Sequence, residues 1–85
     1  MRQFQYVIKD SMGMHARPVA ELAQVISDIH SDVLIEYKSN TVSAKNMMKL
    51  LSLGVRYGEE IRVIITGEDE DKDYKRLMDF FRKNL

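Results

Sequence analysis

Apolar and polar positions change period several times along the chain, and each change marks an element. Phe4, Tyr6 and Ile8 alternate with Gln3, Gln5 and Val7, the period-2 pattern of a half-buried strand. A polar loop, Lys9-Asp10-Ser11-Met12-Gly13, follows. From Ala16 the period lengthens. Val19, Leu22, Ala23 and Ile26 recur at i, i+3, i+4 and i+7, one face of an amphipathic helix that should end near Ile29-His30-Ser31. Asp32 to Tyr37 reads as a second strand, Ser39-Asn40 as a tight turn, and Thr41-Val42-Ser43 as a third strand, together a hairpin. Ala44 to Gly54 reads as a short helix with Gly54 just past its C-terminus. Gly58 opens a turn into Glu60–Thr66, the strongest strand pattern in the chain, and Gly67 closes it. Asp69 or Asp71 can cap a last helix, in which Tyr74, Leu77, Met78 and Phe81 repeat the helical spacing.

The predicted order is therefore β-α-β-β-α-β-α. Three helices with one apolar face each and a four-stranded, mostly antiparallel sheet make an α+β layer with the helices on one sheet face. The ferredoxin-like arrangement shares the βαββαβ core, and periodicity is compatible with both topologies.

Size and charge narrow the functional classes. Eighty-five residues fit one domain, residues 1–85, whose core is too small to surround a deep catalytic cavity. Chemistry should lie at the surface or be completed by a partner. Thirteen Lys/Arg balance thirteen Asp/Glu, so there is no basic footprint for generic nucleic-acid binding. The absence of Cys excludes disulfides and thiolate metal sites, and two distant His residues make a zinc site a poor expectation; no cofactor is expected. No apolar run approaches the roughly 20 residues of a membrane span, and no signal peptide is visible at the start. A cytoplasmic domain is the expectation. Charge is nevertheless uneven. Residues 1–58 carry seven Lys/Arg and five Asp/Glu, a net +2, and residues 59–85 carry the opposite net −2. The acidic run Glu68-Asp69-Glu70-Asp71-Lys72-Asp73 reads as a helix start complementing its dipole.

The segment that carries chemistry is Gly13-Met14-His15-Ala16-Arg17-Pro18. His15 falls where loop becomes helix, and Pro18 lies in the first turn, where its missing N–H costs little. The backbone N–H groups of Ala16 and Arg17 should then be unpaired and available to an anion. Arg17 adds a guanidinium suited to phosphate oxygens. The positive helix end and Arg17 should both disfavour the imidazolium of His15, leaving a neutral nucleophile, and should stabilise a phosphoryl group once attached. An ordinary His at a helix start is the alternative, and the combination with Arg and Pro weighs against it. His30, after the first helix, reads as an exposed cation at its negative end.

A second feature is the short middle helix, which is too apolar for its length. Met47, Met48 and Leu51 form one stripe, Leu50 and Leu53 another. One stripe should enter the core, and the other should be exposed beside Lys45 and Lys49 as an adaptable docking surface. The alternative is that all five are core.

Met14-His15-Ala16-Arg17-Pro18 resembles the active-site signature of HPr, the histidine-containing phosphocarrier family of the bacterial phosphoenolpyruvate:sugar phosphotransferase system. The segment Ser43 to Gly54 resembles the family's second signature, and Gly67-Glu68-Asp69-Glu70 the stretch before its last helix. Length, element order and spacing match over the whole chain.

The resemblance implies an HPr-like open-faced β-sandwich, βαββαβα, with sheet order 1-4-2-3 covered on one face by three helices. It implies that His15 takes a phosphoryl group on Nδ1 from phospho-enzyme I and passes it to enzyme IIA domains, with Arg17 and Ala16 at the phosphate. Met47, Met48 and Leu51, beside Lys45 and Lys49, would dock these partners. The expected product is a transiently phosphorylated carrier in sugar transport, a monomer rather than a stand-alone enzyme.

One departure stands out. The family usually has Ser where this chain has Asn46, and in many Gram-positive bacteria a kinase phosphorylates that Ser. Asn46 has no hydroxyl, so that regulation should be absent, while Asn remains a good N-cap. A specialised or nitrogen-related paralogue acting mainly by protein binding is the alternative. The family's repression-only relatives replace the histidine, and His15 is retained. A ferredoxin-like RNA binder would need sheet aromatics and a basic face that the sequence lacks.

Overall fold

The computed structural model describes residues 1–85. Its elements are β1 (Arg2–Val7), α1 (Ala16–Asp28), β2 (Asp32–Tyr37), β3 (Asn40–Ser43), α2 (Met47–Ser52), β4 (Glu60–Thr66) and α3 (Glu70–Asn84). The strands form one sheet in the order β1-β4-β2-β3, and every neighbouring pair is antiparallel. The three helices cover one face, as the HPr-like reading expects.

Register shows why the alternation works. Phe4 pairs with Val63, Val63 with Ile35, and Ile35 with Val42. This row crosses all four strands on the covered face, because equivalent residues in paired strands share a side. One residue along, Gln5, Arg62, Glu36 and Thr41 form the corresponding row on the open face, where Arg62 Nε lies 3.6 Å from Glu36 Oε1. The covered row continues into the helices. Val19 and Leu22 of α1 and Leu77 and Phe81 of α3 are fully enclosed. Phe81 meets Phe4 and Tyr6 edge-on at 5.8 and 5.6 Å, the arrangement that suits aromatic quadrupoles.

Two boundaries differ from the sequence reading. The hairpin turn is Lys38-Ser39, not Ser39-Asn40, because Tyr37 pairs directly with Asn40. Lys38 takes the strain, with φ at 56°, so backbone twist rather than side-chain preference sets this turn. The middle helix starts at Met47, not Ala44. Asn46 Oδ1 accepts from the Lys49 amide at 3.0 Å and caps it, which leaves Ala44 and Lys45 in the preceding turn. Asp69 is the N-cap of α3, but its side chain makes no capping bond.

The acidic run at the start of α3 is not wholly exposed. Asp73 is buried with Ser31, which follows α1, and the Ser31 hydroxyl donates to Asp73 Oδ2 at 2.6 Å. No helix is long and apolar enough to cross a membrane.

Candidate functional site

Residues 8–15 connect β1 to α1, and two other parts of the chain hold them. On one side the loop after α2 pairs with them. Ile8 N–H donates to the Glu59 oxygen at 2.9 Å, Gly58 N–H to the Ile8 oxygen at 2.8 Å, and Met14 N–H to the Val55 oxygen at 3.0 Å. On the other side the Leu85 oxygen accepts from the Lys9 and Asp10 amides. Gly13 lies against the Val55 and Arg56 backbone with φ at 70°, and an added Cβ would stand 2.3 Å from the Val55 oxygen. Only glycine fits that approach. Met14 is buried and anchors the chain one residue before the imidazole.

His15 is the N-cap residue of α1, with φ −91° and ψ 179°. Its carbonyl accepts the Val19 amide at 3.2 Å, while its side chain makes no capping bond and is about a quarter exposed at 27%. The Ala16 and Arg17 amides have no acceptor within the chain, as the Pro18-based reading of the first turn expects. No acidic residue occupies that turn, so the helix itself supplies no charge against its positive end. Arg17 is exposed and enters none of the ion pairs.

The structure adds an anion that sequence reasoning missed. Asp10 Oδ2 lies 3.3 Å from His15 Nε2, and Asp10 Oδ1 accepts the Met12 amide at 2.8 Å. The surroundings of the imidazole are therefore not purely cationic, which corrects the expectation drawn from Arg17 and the helix end alone. The Met12 amide is the main cause holding the Asp10 carboxyl below the usual carboxylate range. Partial desolvation opposes it, and His15 and Arg17 add to it.

His15, Asp10, Arg17, Pro18 and Glu21 share a shallow recess with Lys83 and Asn84 from the end of α3, with a volume of about 260 Å³. Asp10 was visible in the sequence as a carboxylate five residues before His15, and that spacing was its only signal. Lys83 had none, because α3 arrives from the far end of the chain. No three His, Asp or Glu side chains cluster in metal-ligating geometry.

The α2 residues divide by depth. Met48 is 76% exposed and Leu50 is enclosed. Met47, Leu51 and Leu53 are half-buried against the core. The expectation of one buried and one exposed stripe is thus corrected to a graded surface: a helix of six residues seated on α1 and β3 leaves only one large side chain fully outward. Lys49 lies beside Asn40, Thr41 and Val42, and Lys45 beside Asp32, Leu34 and Ser43. Both therefore lie on the β2–β3 side of the molecule. His30 is exposed.

Sheet order, single-sided helix layer and the histidine just before the leading helix define a class: the open-faced β-sandwich of the phosphocarrier type. Residues 2–83 match the sequence profile described as the PTS HPr component phosphorylation site, and the chain belongs to the PTS HPr family. Among solved structures it is similar to HPr-C-His from Thermoanaerobacter tengcongensis, at 33% identity over 99% of this chain and 94% of that one, with a TM-score of 0.92. It is also similar to the phosphocarrier protein HPr of Bacillus anthracis, at 29% identity, 94% and 95% coverage and a TM-score of 0.86. The Bacillus subtilis catabolite repression protein Crh, a swapped dimer, matches at 33% identity, 100% and 98% coverage and a TM-score of 0.76.

Proposed function

We propose that this protein is the carrier in a phosphoryl relay, accepting the group on His15 from phospho-enzyme I and donating it to an enzyme IIA domain of the sugar phosphotransferase system. The observation that carries this reading is the junction at His15. A partly exposed imidazole stands at the positive end of α1, whose first turn carries no acidic residue, next to the unpaired Ala16 and Arg17 amides and an Arg17 guanidinium outside every ion pair. The transferring phosphate gains charge-assisted bonds from all of these. The recess is too shallow to enclose a small substrate, so the partner supplies the enclosure.

In this reading Met48, with the half-buried Met47 and Leu51, forms the apolar part of the docking surface, and Lys45 and Lys49 contribute charge at its margin. The protein works as a monomeric, cytoplasmic domain spanning residues 1–85. Incubation with enzyme I, Mg²⁺ and phosphoenolpyruvate should give an acid-labile adduct of one phosphoryl group, absent from His15→Ala. No adduct, or one that survives in His15→Ala, rejects the relay.

Similarity to Crh at 33% identity favours a second reading, a paralogue that regulates by protein binding alone. It predicts that His15→Ala preserves function while Met48→Asp abolishes it.

A further inference from the structure

We propose that Asp10 is the positioning residue of this site: its carboxylate holds the Nε2–H of His15, leaves the Nδ1 lone pair as the nucleophile, and keeps Nε2 protonated while the phosphoryl group is carried. This rests on the carrier reading above.

The argument begins with donor and acceptor roles. A carboxylate only accepts, so the ring nitrogen facing Asp10 Oδ2 at 3.3 Å is the one that bears hydrogen. In a neutral imidazole the other nitrogen, Nδ1, then holds the free pair. Asp10 is itself held, because its second oxygen accepts the Met12 amide at 2.8 Å and its own amide donates to the Leu85 oxygen at 2.9 Å. A carboxylate held by the Met12 amide, on a backbone held by Leu85, orients the ring instead of following it.

The charge balance follows from that placement. Nδ1 attacks phosphorus, the bond from phosphorus to the donor breaks, and its electron pair leaves with the donor. Nε2 keeps its proton, so the phosphorylated ring is cationic, and Asp10 is the anion beside it. On transfer to the next acceptor the N–P bond breaks and its pair returns to Nδ1. The ring then departs as neutral imidazole, a far better leaving group than the imidazolate formed if Nε2 had lost its proton. The other charged groups around the recess are Arg17 and Glu21 from α1 and Lys83 from α3. Only Asp10 is bonded to the ring.

The test uses Asp10→Asn, which removes the charge and leaves one acceptor oxygen, enough for the Met12 amide or the ring but not for both. Asp10→Ala removes charge and acceptor together. Potassium phosphoramidate, a chemical donor, loads His15 without any partner. Nitrogen-15 NMR titration then reads the pH at which the phosphorylated ring loses its Nε2 proton. That midpoint should fall by about one pH unit in Asp10→Asn, the effect of removing one adjacent charge. Onward transfer at pH 8 should slow about tenfold. Asp10→Glu should restore part of the midpoint.

An unchanged midpoint in both Asp10→Asn and Asp10→Ala overturns the positioning role, even if enzyme I still phosphorylates the protein. Failure of enzyme I to phosphorylate the wild type rejects the carrier reading instead, and the phosphoramidate titration still decides the role of Asp10.

Discussion

The Ser31 hydroxyl donates to Asp73 Oδ2 at 2.6 Å, and both residues are buried, with 1% and 3% of their surface exposed. This bond ties the segment after α1 to the first turn of α3, 42 residues apart in the chain. A carboxylate so far from solvent is tolerable because a hydroxyl and a helix N-terminus both face it.

Ser31→Ala should therefore cost about 2 kcal/mol, because it leaves a buried carboxylate short of its partner. Urea unfolding should show a lower midpoint with an unchanged slope. A loss below about 0.5 kcal/mol, the range of ordinary surface changes, argues that Asp73 finds another donor.

Gly13→Ala should destabilise the protein by about 2–4 kcal/mol. The new methyl would meet the Val55 oxygen at 2.3 Å, with φ at 70°. Relief requires moving the loop that carries His15, so the phosphorylation rate should fall along with the unfolding temperature. Stability loss with an unaltered rate separates the two effects and denies the clamp a role in placing the imidazole.

Asn46 gives a double test. Asn46→Ala removes the cap on the Lys49 amide and should cost about 1 kcal/mol. Asn46→Ser keeps a capping oxygen and introduces a hydroxyl. With HPr kinase and ATP, acid-stable phosphoserine should appear only in the Ser variant. Modification of the wild type under the same conditions contradicts the reading of Asn46 as a site without this regulation.

On α2, exposure separates docking from stability. Met48→Asp, at a position 76% exposed, should change stability by no more than about 0.5 kcal/mol while raising the KM for transfer between partners. Leu50→Ala, at a fully enclosed position, should cost about 3 kcal/mol. Equal transfer kinetics for wild type and Met48→Asp places the docking surface elsewhere.

Asp10 adds a pH dependence with a defined sign. Its carboxyl ionises more readily in the folded protein than in the unfolded chain. Its stabilising contribution is therefore present above the ordinary Asp value of about 3.9 and is lost as pH falls through the lower folded value. The stability difference between wild type and Asp10→Asn should hold from pH 7 to about pH 5 and shrink toward pH 2. A difference that grows on acidification reverses the sign and rules out this assignment.

Much of the molecule follows from local pattern. Alternation at Phe4 and Tyr6 and at Ile61, Val63 and Ile65 places the strands, because a sheet side repeats every two residues. The spacing of Val19, Leu22 and Ile26 places α1 for the same kind of reason. Asn46 as a cap, and His15, Ala16 and Arg17 as a loop-to-helix junction with free amides, are local as well. They depend on a few consecutive residues, so the chain itself carries the signal. Sheet order came from resemblance to a family, since periodicity was compatible with more than one topology.

Pairings between distant segments were beyond that reach. Lys38 in the turn depends on the β2–β3 register, which slides without any change in composition. Asp73 reads locally as one more residue of an acidic helix start, and its bond to Ser31 exists only because α3 packs beside the end of α1. Lys83 joined the His15 recess only because α3 ends next to the loop after β1. Asp10 was close to His15 in sequence, yet a loop of that length has many paths, and the bonds to Val55, Glu59 and Leu85 select one. The sequence by itself determined the elements and the histidine junction, whose physics is short-range. Tertiary packing alone decided which charges surround the imidazole, because a side chain's electrostatic neighbours are set by where whole segments meet.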